Sequence, residues 1–298
     1  VKTSHERVLM STAITVPSVK LANGVCIPQT GFGVYQIPDA AQCEQAVVDA
    51  IAAGYRHIDT AAAYYNEEAV GAAIARCGVP REELFITTKG WVQDAGYGAT
   101  MRAFETSMEK LGLDYLDLYL IHQPLGDYYG SWRAMEELYD AGRIRAIGVC
   151  NFKAGRLADL CLTSRIAPMI NQIEVHPFNQ RMDDIAANDE FGTKTEAWAP
   201  LADGKNGIFT NPTLVAGAEA HGKSAAQAAL RWNLQRGNIV LVKSTHADRM
   251  RENLDLFDFE LTDAEMAAVA ELDLGPTLFA GNDTVESVRM RHSVKVHE

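Results

Sequence analysis

Asp59, Tyr64, Lys89 and His122 are the side chains of this sequence whose types and settings suit one another chemically. Asp59 closes the short apolar run His57–Asp59, and Tyr64 follows in HIDTAAAYYNE. Lys89 closes LFITTK, and His122 closes LDLYLIH. A tyrosine ionises near pH ~10 and is a poor acid at neutral pH. A nearby ammonium favours tyrosinate and lowers that value, which is work for Lys89. A buried Lys89 needs a partner, and Asp59 is the natural one. His122 can donate a hydrogen bond to a carbonyl oxygen and orient it. The sum is a general acid set to protonate an oxygen as negative charge develops on it. Carbonyl reduction needs such an acid, with hydride arriving on carbon. No side chain donates hydride, so a nicotinamide cofactor is implied.

Such a cluster requires a frame that brings strand ends together. Short β-rich runs alternate with amphipathic stretches along the chain. A hairpin over Val19–Leu21 and Val25–Pro28 turns at Asn23-Gly24. Strands are expected at Gly33–Tyr35, His57–Asp59, Leu84–Thr88, Leu116–Ile121, Ile144–Val149, Met169–Glu174, Thr195–Trp198 and Ile239–Val242. Between them lie helical stretches, among them Glu67–Arg76, Met101–Leu111 and Trp132–Ala141. Ala40, Cys43, Ala46, Val47, Ala50 and Ile51 give an apolar stripe at helical spacing, and Ser224 is a candidate N-cap. The strands are apolar without strict alternation, as parallel strands covered on both faces are. About eight βα units in roughly 250 residues fit an α/β fold, the (β/α)8 or TIM barrel, with an N-terminal β-hairpin. A doubly wound sheet shares the local pattern, but no G-x-G-x-x-G follows any candidate strand. Residues 1–15 read as a loose extension, and residues 16–298 as one domain.

Composition narrows the partners. The chain has 298 residues, 27 basic against 39 acidic, for a net charge of −12. That sign argues against nucleic acid or an anionic membrane surface as the main ligand. Five cysteines without CxxC spacing point to free thiols in a cytoplasmic protein and to no metal site.

Six stretches carry a family resemblance. GYRHIDTAAAYYNEEAVG, LFITTKGW, DLYLIHQP, GVCNF, NQIEVHP and VKSTHADRMRENL, in that order, resemble the aldo-keto reductases. The likeness spans Val16 to about Asp273 and is strongest to the bacterial 2,5-diketo-gluconate reductase and prostaglandin F synthase branch. It implies a (β/α)8 fold and NADPH-dependent reduction of aldehydes or ketones, keto-sugar acids among them, by a monomer. It places the proton donor on Tyr64 and the rest of a catalytic tetrad on Asp59, Lys89 and His122. Tyr65 departs from the small residue usual there; it either crowds the pocket or packs in the loop, and is a position where substrate choice can differ. Asn66 and Glu67 are read as fixing the loop.

The cofactor site follows from the same likeness. Lys243, Ser244, Thr245, Arg249, Glu252 and Asn253 set cations and hydroxyls at a helix start, where an extra phosphate is bound well. In the family this stretch clasps the adenosine 2′-phosphate and the adenine. Asn151 and Gln172 correspond to holders of the nicotinamide carboxamide, Trp198 to the aromatic stacked on the ring, and Leu201 to a further cofactor contact. Cys150 stands where the family has a serine, a weaker hydrogen-bonding group. Tyr35, Trp91, Tyr128 and Trp132 are candidates for an aromatic wall around the substrate, with His122. The tail from Gly275 is expected to cross the mouth; its Arg289, Arg291 and Lys295 can meet an acidic substrate, but a solvated tail is the favoured reading. Two other readings stand beside reduction: a lyase using Lys89 as a Schiff base, and an NADPH-binding redox sensor with slow turnover.

Overall fold

The computed structural model describes residues 15–281 and 283–297. All but the last residue of the expected N-terminal extension, 1–15, lies outside the described residues. The hairpin forms from β1 (Ser18–Lys20) and β2 (Cys26–Pro28), paired antiparallel. Its turn is tied back by Asn23, whose Nδ2 donates to the Arg145 carbonyl at 2.8 Å. That contact sets the hairpin at the N-terminal end of the barrel strands, away from the ends that carry the polar residues.

Eight parallel strands close a barrel: β3 (Thr30–Gly33), β4 (His57–Asp59), β5 (Phe85–Gly90), β6 (Leu116–Ile121), β7 (Ile144–Cys150), β8 (Ile170–Glu174), β9 (Lys194–Trp198) and β10 (Ile239–Val242). β10 pairs with β3, with Val240 opposite Thr30, and shuts the cylinder. Around it run α1 (Ala40–Ala53), α2 (Glu67–Arg76), α3 (Tyr97–Leu111), α4 (Tyr128–Asp140), α5 (Ala154–Thr163), α6 (Met182–Glu190), α7 (Pro212–Glu219), α8 (Ala225–Gln235), α9 (Ala247–Glu252), α10 (Asp263–Ala270) and α11 (Val285–Ser293). The doubly wound alternative is excluded, since such a sheet stays open.

Local chemistry explains the elements. Asp39 caps α1 by accepting from the Gln42 N–H, and α1 buries Cys43, Ala46, Val47, Ala50 and Ile51. Ala40, expected in that stripe, is exposed in its first turn. Ser224 and Gln227 form a reciprocal capping box at the start of α8.

Two boundaries differ usefully from expectation. The first barrel strand is Thr30–Gly33 rather than Gly33–Tyr35, because pairing with β10 begins at Thr30, and Tyr35 stands out in solvent. α4 begins at Tyr128 rather than Trp132, because Asp127 accepts from the Gly130 N–H and starts the helix earlier.

Gly31 is a steric requirement of the barrel interior. A Cβ there would lie 2.5 Å from His57 Nδ1 and 2.6 Å from Leu241 Cδ2. Both neighbours belong to packed strands, so neither yields cheaply. Gly31→Ala is therefore expected to destabilise the fold by about 1–3 kcal/mol. A denaturant midpoint equal to that of the wild type would refute the close approach.

Candidate active site

The barrel brings all four members of the predicted cluster to one place. Lys89, fully buried on β5, puts its Nζ 2.5 Å from Asp59 Oδ1 and 2.9 Å from the Thr60 carbonyl. The same ammonium lies 5.0 Å from the centroid of the Tyr64 ring. Tyr64 and His122 meet edge to face, with centroids 5.5 Å apart. The loop that carries Tyr64 is pinned from beneath. Asn66 accepts from the Thr60 hydroxyl at 2.8 Å and donates to the Val34 carbonyl at 3.0 Å. Glu67 accepts from the Thr88 hydroxyl at 2.6 Å. Both act as the loop-fixing residues expected.

Burial decides the protonation states. It pulls the Lys89 ammonium down, but Asp59 and Tyr64 outweigh it and hold the group above its ordinary value. Burial raises the Asp59 carboxyl, against the pull of Lys89 and Gln172. His122 is held well below the usual histidine range by burial and by the charges of Lys89 and Arg291, so its imidazole is neutral at pH 7. Burial raises Tyr64 as well, and Lys89 lowers it. The expected help from Lys89 is present, yet the net shift is upward, because desolvation of a phenolate exceeds one ammonium's attraction. Burial also holds the Cys150 thiol well above its ordinary value, so no thiolate stands in the site.

Beneath the cluster lies a layer that the motifs did not reveal. Gln172 Nε2 donates to Asp59 Oδ2 at 2.9 Å and to Glu196 Oε2 at 2.7 Å. Glu196 is fully buried; its Oε1 has no hydrogen-bond partner among the described residues and lies 3.7 Å from His57 Nε2. Burial, with Asp59 nearby, pushes the Glu196 carboxyl up to about 8. Burial and the Lys89 charge push His57 down to about 3. Period two was the available signal. His57 and Glu196 each sit two residues before a recognised site residue, Asp59 and Trp198, and therefore share its inward face.

The mouth is partly as expected. Tyr35 stands 5.0 Å from Tyr64, and Trp91 5.1 Å from His122, centroid to centroid, so both line the opening. Tyr128 and Trp132 do not. They face inward from α4, Tyr128 against Phe152, and Trp132 donating to the Ile166 carbonyl at 3.0 Å. The tail does cross the mouth. Trp91 Nε1 donates to the Val294 carbonyl at 3.3 Å, Gln93 exchanges hydrogen bonds with Val296 and His297, and His297 meets Asp94 at 2.8 Å. Tyr65 points out of the pocket and donates its hydroxyl to the Lys295 carbonyl at 2.8 Å. It secures the tail rather than crowding the pocket. Arg291 is also spent structurally, on the carbonyls of Ser287 and Ala280, while Arg289 and Lys295 are exposed.

The other residues expected to hold the cofactor lie at the ends of β7, β9 and β10 and on α9. Lys243 and Arg249 are exposed at the end of β10 and on α9, and neither pairs with a carboxylate among the described residues. Thr245 is exposed, and Glu252 is half-buried at the end of α9. Ser244 accepts from the His246 N–H at 3.0 Å. Asn253 is buried at the C-cap of α9, and its side-chain amide bonds to no described residue. Asn151, at φ 63°, donates to the His122 carbonyl at 3.1 Å and accepts from Trp198 Nε1 at 2.9 Å. Trp198 is half-buried, with Phe279 of the tail at 5.1 Å. Leu201 is half-buried beside it, at the head of the turn Ala202–Gly207.

Comparison with known proteins decides the family. The model of the aldo/keto reductase family matches residues 30–274. An aldo-keto reductase of Mycolicibacterium smegmatis is 47% identical over 267 residues, covering 88% of this chain and 95% of its own. The glyoxal reductase of Bacillus subtilis is 48% identical over 259 residues, 86% and 92% of the two chains. An aldo-keto reductase of Bombyx mori, solved in complex with NADP, superposes with a TM-score of 0.87 at 38% identity, over 91% of this chain and 97% of that one.

This chain belongs to the aldo/keto reductase family.

In this family member the buried carboxyl of Glu196 lies below Asp59 and Gln172. In the folded protein this group keeps its proton to about pH 8. In the unfolded chain a glutamate ionises near pH ~4.3. Between those values the native state binds the extra proton, so stability falls as pH rises. Glu196→Gln does not titrate, so its stability relative to the wild type should improve from pH 5 to pH 8.5. Urea midpoints at the two pH values test this; a constant difference would show that Glu196 is ionised throughout.

Proposed function

We propose that this aldo/keto reductase reduces aldehydes or ketones to alcohols with NADPH, using Tyr64 as the proton donor. The observation that carries the reading is the buried Lys89–Asp59 pair at 2.5 Å, with the Tyr64 ring 5.0 Å from the ammonium and a neutral His122 beside it. A bound nicotinamide supplies the hydride. The chain supplies everything else. His122 offers a ring N–H to the carbonyl oxygen, Tyr64 Oη gives that oxygen its proton, and Lys89 stabilises the tyrosinate left behind. Asp59 keeps Lys89 charged and fixed.

The residues present suit a phosphorylated dinucleotide. Lys243 and Arg249 are two cations with no carboxylate to neutralise them among the described residues, and the buried Asn253 amide is open to a base. Gln172 keeps its amide oxygen for a carboxamide. The Schiff-base alternative fares worse, because a lysine held protonated by a carboxylate at 2.5 Å is no nucleophile. The glyoxal reductase among the relatives makes small dicarbonyls the first substrates to assay. Keto-sugar acids come second, since Arg291 is already bonded to main-chain carbonyls. The reading extends to a monomer in the cytoplasm, in keeping with five free cysteines. Among the described residues no helix is long and apolar enough to cross a membrane.

Tyr64→Phe is expected to lower carbonyl reduction by ~10²–10⁴-fold while leaving NADPH binding within about twofold. A variant that keeps a tenth of the activity would remove Tyr64 from its role. Lys243→Ala and Arg249→Ala should each weaken NADPH by roughly tenfold, the scale of one charge-assisted bond, and NADH much less. Equal weakening of both dinucleotides in a titration would place the 2′-phosphate elsewhere.

A further inference from the structure

Glu196 is a buried acid that the proposed reaction does not use. It stands opposite Gln172 in the β8–β9 register, on the same inward face. The two N–H groups of the Gln172 amide are both engaged, by Asp59 Oδ2 at 2.9 Å and Glu196 Oε2 at 2.7 Å. The amide oxygen accepts from no described residue. We propose that Glu196 is a positioning residue, which takes the second N–H of Gln172 so that the amide presents only its oxygen to the nicotinamide carboxamide. The inference deepens the proposed function and rests on its assignment of Gln172 to the cofactor.

The geometry favours this over a packing role. Asp59 alone would hold the amide at one point, leaving it free to twist about that bond. A second acceptor fixes its plane. The surroundings also allow Glu196 to serve without adding a second negative charge. Facing it are Asp59 and His57 of β4, Lys89 of β5, Cys150 of β7 and Gln172 of β8. With Asp59 paired to Lys89 and Glu196 protonated, its carbonyl oxygen still accepts from Gln172. A carboxyl thereby does what a leucine of similar size cannot.

The test compares reduced NADPH with the reduced 3-acetylpyridine analogue, in which a methyl ketone replaces the carboxamide. The analogue keeps the carbonyl and loses the N–H donors. Dissociation constants are read from quenching of intrinsic tryptophan fluorescence, without turnover. The wild type should prefer NADPH by roughly 3- to 10-fold, the worth of one hydrogen bond. Gln172→Leu and Glu196→Leu should each reduce that preference to within about twofold. Glu196→Gln, which retains an acceptor of the same shape, should keep it. No preference in the wild type would end the assignment of Gln172 itself. A preference lost in Gln172→Leu but intact in Glu196→Leu would overturn the inference and leave that assignment standing. Loss in both Glu196 variants would assign the effect to the charge or proton of the carboxyl rather than to its acceptor oxygen, and overturn it too. If Glu196→Leu fails to fold, the side-chain amide of Gln172 in the wild type answers instead, by NMR. Both of its protons should be protected from exchange; protection of one alone rejects the proposal.

Discussion

The ammonium of Lys89 inside the barrel is the constraint on which the rest of the site depends. A cation removed from water costs several kcal/mol after relaxation, and only close, well-directed partners offset that cost. Here they are the Asp59 carboxylate and the Thr60 carbonyl. Asp59 must then be held as firmly as Lys89, which Gln172 does from the opposite wall. Thr60 must be held too, and its hydroxyl is fixed by Asn66. The neighbouring Glu67 ties the same loop to Thr88 on the strand of Lys89. Tyr64 therefore rides on a loop whose position follows from the demands of one buried charge.

The same charge orders the protonation of its neighbours. Burial keeps His57 and His122 neutral, and the Lys89 charge adds to it by repelling a second cation. That charge cannot by itself make Tyr64 acidic, since burial of the phenolate costs more than the ammonium returns. The proton of Tyr64 thus stays in place at neutral pH, as the proposed role requires. That is a useful property in a general acid, which should not ionise before its substrate arrives.

How much of this could be read from the sequence depends on which layer of the barrel is considered. Asp59, Lys89 and His122 were legible because polar residues that end apolar strands have few other places to go. Glu196 and His57 were not, because nothing marks a strand residue one layer down except its parity with the residue above. Tyr128 and Trp132 were misplaced for a different reason. A helix start moved by four residues turns loop side chains into core ones, and the capping bond from Asp127 that moves it is only weakly coded. Strand ends agreed to within one or two residues except at β3, where the partner strand β10, remote in sequence, sets the register.

The mouth shows the limit of local reading most clearly. Tyr65 looked like a change in the substrate pocket because it adjoins Tyr64. Its left-handed backbone, at φ 57°, turns it instead toward solvent and toward the tail. A bulky residue in that conformation costs about 1–3 kcal/mol, so it persists only where the surroundings hold it. The hydrogen bond to the Lys295 carbonyl supplies part of that hold. Trp91, Gln93 and Asp94 take neighbouring tail residues, and Val296 packs with Ala62, Trp91 and Val92. The wall that closes the substrate opening is thus assembled from loops after β4 and β5 and from the last residues of the chain. Tyr65 thus bears on the opening through the placement of this tail.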